Sequence, residues 1–227
     1  MTLKINAKSA LLYAVYAVAI VFINKTLTGV PLSLGLLFAM LTCGTNIIIT
    51  PIIYLIASVV YLDLITTLLR LAEAVFLALV TFIYRRTKRK MSIEGAAYLA
   101  IALAPYIAFD KWQGIAGIDF LDNEYAFRGI AAVAVIVFSY FSFKTVYALL
   151  YRAFRCRLKE DELVCCAVVY AAFGTGVYNM CGFFVYTAFA AGAIIFSVRL
   201  ARSPAALIFA LITAIPPSIV NLSAEPF

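Results

Sequence analysis

The chain contains no histidine, and charged residues make up only 13% of its 227 positions. Without imidazole there is no His-based zinc site, no proton relay through His and no Ser-His-Asp triad. Tryptophan occurs once. The five cysteines (Cys43, Cys156, Cys165, Cys166 and Cys181) show no C-x-x-C spacing and are odd in number, which signals neither a disulfide framework nor a zinc site. They read as small apolar fillers. No nucleophile sits beside a base, and no paired carboxylates or metal-ligand clusters stand out, so neither an enzyme activity nor a cofactor is expected.

What the chain has in abundance is apolar surface. Hydrophobic residues account for 66% of it, against about 45–50% in a soluble domain, and the mean hydropathy is +1.05. Apolar runs fall at about 10–23, 30–41, 47–62, 64–84, 92–109, 126–151, 163–178, 181–198 and 204–222. The fold class expected from these runs is all-α: a polytopic transmembrane helix bundle of about nine spans, within a range of eight to ten, forming one domain over residues 1–227. The runs at 30–41 and 47–62 are short and separated only by residues around Cys43-Gly44-Thr45-Asn46. They are either two crossings or one hairpin that does not fully cross, which would leave seven. Lys4 and Lys8 before Ala10 to Ile23 resemble a signal sequence, but no small-x-small cleavage site follows, so the segment is expected to remain as the first span.

Net charge is +7, and its placement argues for a lipid bilayer as partner rather than a nucleic acid. With the N terminus on the cytoplasmic side, the inside segments hold Lys4, Lys8, Arg85, Arg86, Lys88, Arg89 and Lys90. They also hold Arg152, Arg155, Arg157, Lys159, Arg199 and Arg202, thirteen basic residues against three outside. This positive-inside bias predicts a bacterial cytoplasmic membrane protein whose basic loops touch anionic lipid. The loop from Asp110 to Glu124 is net acidic and holds Trp112. Glu160, Asp161 and Glu162 place negative charge on the first turn of the seventh run, as a helix start favours.

Arg70 and Glu73 stand inside the otherwise apolar run 64–84. At a rise of about 1.5 Å per residue they lie roughly 9 Å and 13 Å from its start, within a hydrocarbon core about 30 Å thick. Their i, i+3 spacing lets them pair on one face. Such a pair is either a substrate or proton site or a self-neutralised packing element. Asp63 and Lys144 are weaker candidates of the same type, and Lys144 can snorkel. Ala96, Ala100, Ala104 and Ala108 form a small-residue stripe at i+4 spacing, and Ala7, Ala10, Ala14 and Ala17 form a related one; both suit close helix packing or self-association. Gly174-Thr175-Gly176, with Gly182 after it, reads as a tight turn region rather than a phosphate cradle. Pro51, Pro105 and Pro216-Pro217 are expected to kink their helices.

Two stretches resemble the N-terminal membrane region of the stage II sporulation protein E family of Firmicutes. One is Gly29 to Met40, GVPLSLGLLFAM, with Pro31 and Gly35; the other is Arg155 to Leu163, a basic loop turning into an acidic helix start. The resemblance implies a multispanning anchor that locates a cytoplasmic serine/threonine phosphatase at the sporulation septum and helps it self-associate. The present chain contains no phosphatase domain; under that resemblance one would lie beyond residue 227.

The function expected is thus an anchoring and assembly module. The alternatives are a small-molecule transporter or substrate-binding membrane subunit using Arg70 and Glu73, and a ligand-sensing domain using the acidic loop. Under the first reading, replacing Ala100 and Ala104 with Leu weakens cross-linking between protomers in membranes; unchanged cross-linking of the double variant would remove the stripe as an assembly face.

Overall fold

The computed structural model describes residues 7–25, 32–59, 64–87, 123–151, 159–200 and 210–218. All of its regular elements are helices: α1 (Ala7–Asn24), α2 (Leu32–Thr42), α3 (Ile49–Val59), α4 (Leu64–Arg86), α5 (Asn123–Tyr151) and α6 (Glu160–Leu200). A short helical stretch follows within 210–218. The alanine stripe at Ala96–Ala108 lies outside the described residues, as do Asp63, Lys88, Arg89, Lys90, Arg152, Arg155 and Arg157.

The expectation of about nine membrane spans is not met. Among the described residues one helix, Asp161–Ile195, is long and apolar enough to cross a membrane. The two short runs form helices too short to cross. α2 and α3 have eleven residues each, about 16 Å of helix and half of a hydrocarbon core. α1 and α5 are helical over 18 and 29 residues, and α4 carries Arg70 and Glu73 within its run.

Even the long helix doubles back. Tyr170 and Phe189 stack with ring centroids 5.4 Å apart, and the Tyr170 and Tyr186 hydroxyls are 3.4 Å apart. In a straight helix nineteen residues would separate the first two rings by roughly 28 Å. The reversal is at Gly182, whose φ of 78° and ψ of −179° break the helix in a region open essentially to glycine alone. It falls just beyond Gly174-Thr175-Gly176, where the sequence predicts a turn. The start of α6 is also where the acidic triplet places it: Glu162 Oε2 accepts the Lys159 N–H at 3.0 Å, the reciprocal half of a capping box.

α2 is the central element. Every residue from Ser33 to Leu41 is buried, against α5 most extensively and against α1, α3 and α4 on its other sides. α2 and α5 run in the same direction, with Phe38 stacked on Tyr140 at 4.3 Å. Gly35 permits this: a Cβ there would come within 1.9 Å of Ser139 Oγ. Gly176 does the same for α1 and α6, where a Cβ would lie 2.0 Å from the Phe22 carbonyl oxygen. The close approaches therefore use glycines rather than the first alanine stripe, of which Ala10 and Ala14 are exposed.

Replacing Gly182 with Ala forces a side chain into this backbone conformation, at a cost of about 1–3 kcal/mol. A lower thermal midpoint of the purified variant in detergent is the expected outcome, with Gly192→Ala, where a Cβ meets nothing within 4 Å, as the unaffected control.

Candidate functional site

The interior beside α2 is polar where the sequence is most apolar. On α4 the buried face carries Arg70, Glu73, Ala74, Leu77 and Thr81, while Leu68, Leu71, Val75, Leu79, Phe82 and Ile83 are exposed. On α3 the buried residues are Thr50, Pro51, Tyr54, Ala57 and Ser58, and Ile48, Ile52, Ile56 and Val59 near or on it are exposed. Both helices have the 3.6-residue periodicity of an amphipathic helix, but with the polar face inward.

Arg70 Nη1 donates to Glu73 Oε2 at 3.0 Å, with side-chain exposures of 7% and 0%. The i, i+3 pairing expected from sequence is thus formed, and it is enclosed. Tyr54 of α3, fully buried, lies within electrostatic reach of both charges. Its hydroxyl is 3.4 Å from Ser33 Oγ at the start of α2, and Asn24 Nδ2 at the end of α1 donates to Ser58 Oγ at 3.3 Å. Polar side chains from four helices therefore gather in the half of the interior near the end of α1. Sequence reasoning missed Tyr54, Ser33, Ser58 and Asn24. Thr50, Tyr54 and Ser58 recur every fourth residue and mark a polar face of α3, whereas Ser33 and Asn24 are single polar groups at the ends of apolar helices.

A second polar cluster forms at the connection of α2 to α3. Gly44, at φ 97°, ends α2 in a Schellman motif, with Thr45 N–H donating to the Met40 carbonyl and Gly44 N–H to the Leu41 carbonyl, each at 3.4 Å. Asn46 Oδ1 caps α3 by accepting the Ile48 and Ile49 N–H groups at 2.9 and 3.3 Å. Tyr13 of α1 accepts the Asn46 N–H at 3.1 Å. Arg85, one of the basic residues expected on the cytoplasmic side, is exposed in the last turn of α4 and reaches back toward the end of α2. Its Nη2 donates to the Leu41 carbonyl and, at 2.9 Å, to that of Thr45. A cation there satisfies orphan carbonyls and complements the negative end of the α2 dipole.

The other described basic residues take simpler places. Arg86 is exposed, and Lys159 serves through its backbone at the α6 cap. Lys144, half-buried, donates to the Tyr140 hydroxyl at 2.9 Å and sits near Cys43. Pro216 packs on Gly174, 3.2 Å from where a Cβ would be, and the chain departs from helix at 213–214 just before it. Cys43, Cys165, Cys166 and Cys181 are free thiols. Among the described residues no group of three His, Cys, Asp or Glu side chains could hold a metal ion. Among the described residues the arrangement holds an ion pair and satisfies helix ends.

Removing one member of a buried pair leaves the other charge uncompensated, at about 3–5 kcal/mol. Glu73→Gln is accordingly expected to lower the thermal midpoint markedly, and Arg70→Leu/Glu73→Leu to recover most of the loss. Equal destabilisation by the single and double variants would show that the charges are held by something other than each other.

No protein-family model matches the chain, and no curated protein or solved structure matches it.

Proposed function

We infer that this chain is a membrane-embedded anchoring and assembly module. The observation that carries the reading is the inversion of α3 and α4, which bury Arg70, Glu73, Tyr54 and Ser58 and expose rows of Ile, Leu, Val and Phe. In water such an arrangement loses twice, by desolvating charge and by hydrating apolar surface. In lipid it loses neither, since hydrocarbon is the natural neighbour of the exposed rows and ionisable groups turn to the protein interior. The hairpin of α6, with Phe183, Phe184 and Val185 exposed at its reversal, supplies further apolar surface to a bilayer. The basic residues near the C-terminal end of α4 and the start of α6 suit the cytoplasmic face of a bacterial membrane.

Anchoring is favoured over transport by the closure of the Arg70–Glu73 pair. The two side chains neutralise each other and are enclosed, which suits a packing element that fixes helix register. The resemblance of Gly29–Met40 and Arg155–Leu163 to the sporulation phosphatase membrane region supports the same role, with self-association as the assembly function.

A carboxylate placed on the exposed rows separates lipid from water as the surrounding medium. Ile56→Asp and Leu79→Asp each cost up to about 2.5–3.5 kcal/mol if they face hydrocarbon, so both variants are expected to disappear from alkaline-washed membranes. Recovery of the variants as folded protein in the soluble fraction would overturn the membrane reading.

A further inference from the structure

The exposed row of α4 ends in a charge. Leu71, Val75, Leu79 and Phe82 are exposed and follow one another at intervals of three or four residues, which places them on one stripe of the helix. Arg86 continues the stripe four residues beyond Phe82 and is itself exposed. Its neighbour Arg85 spends Nη2 on the Leu41 and Thr45 carbonyls, which leaves the N–H groups of Nε and Nη1 as donors. Among the described residues no carboxylate forms an ion pair with either arginine. After Glu73, α4 holds no acidic residue, and α2 and α3, which pack on it, hold none at all. The negative end of the α4 dipole offsets only about half a unit charge, so the two arginines form a cationic spot at the end of an apolar stripe.

We propose that this stripe is a docking site for an anionic phospholipid, with the headgroup phosphate on Arg86 and Arg85 and an acyl chain along Phe82, Leu79, Val75 and Leu71. The site rests on the membrane reading and specifies which lipid the α4 face selects. From Leu71 to Phe82 the helix rises about 16 Å, and one leaflet of a hydrocarbon core about 30 Å thick is about 15 Å deep. The stripe therefore matches the length of one acyl chain whose head lies at the arginines. A guanidinium offers paired N–H groups that fit phosphate oxygens in a bidentate fork. A free phosphate satisfies the arginines but leaves the stripe bare, and a zwitterionic headgroup brings a cation along with its phosphate. An anionic phospholipid meets both parts.

The test places the full chain in nanodiscs of phosphatidylcholine alone and of phosphatidylcholine with phosphatidylglycerol in equal parts. Phosphatidylglycerol is expected to raise the thermal midpoint by about 2–4 °C. Arg86→Gln loses most of that rise, Arg86→Lys keeps part of it, and Lys159→Gln, at the exposed start of α6, keeps all of it. No rise with phosphatidylglycerol, or equal loss in Arg86→Gln and Lys159→Gln, overturns the site in favour of diffuse attraction between basic residues and the bilayer. Inorganic phosphate that reproduces the rise in phosphatidylcholine nanodiscs overturns the lipid assignment, since no acyl chain is then needed. A chain that enters both nanodiscs without these differences loses only the site. A chain that enters neither and stays folded in the aqueous fraction loses the membrane reading and the site with it.

Discussion

Arg70 and Glu73 sit one turn apart on the buried face of α4, and taking two such ions out of water costs several kcal/mol each unless their mutual attraction offsets it. That constraint organises the helices around them. α3 must present Tyr54 rather than an isoleucine to the pair, so its Ile and Val row turns outward. α2 must supply Ser33 at the same level, and its remaining length fills the space with Leu, Phe and Met. The rotation of three helices about their axes follows from where one ion pair lies.

Helices of eleven residues create a second demand. The end of α2 and the start of α3 meet at a partly exposed connection, where the terminal backbone groups lack partners within their own helices. The sequence answers with Gly44 in a left-handed conformation, Asn46 as a cap, and two side chains from other helices, Tyr13 and Arg85. Arg85 does this from forty or more positions away in the chain. Its charge is thereby used within the fold as well as at the surface, which ties the last turn of α4 to the end of α2.

Exposed rows of Ile, Leu, Val and Phe around a core that encloses an ion pair and a few hydrogen-bonded polar groups form an arrangement that hydrocarbon favours. On the proposed anchoring reading the exposed rows would meet lipid, while the ion pair and the glycine contacts hold the helices in register. Gly35 and Gly176 bring helix backbones together where side chains would hold them apart, as small residues do in lipid.

The sequence by itself determined that the chain is helical and apolar, that Arg70 and Glu73 share a face, and that α6 starts at an acidic triplet and turns near Gly182. These features are local, set by i, i+3 spacing, by capping chemistry and by the freedom of one glycine. It overstated the number of spans: among the described residues one helix is long and apolar enough to cross, and apolar composition alone does not set where helices such as α2 and α3 end. Only the tertiary structure decided that α2 is central, that α3 and α4 turn their polar faces inward, and that Arg85 closes the end of α2. Those outcomes depend on groups brought together from distant parts of the chain, where burial cost and hydrogen-bond partnership act through space and leave no periodic mark along the sequence.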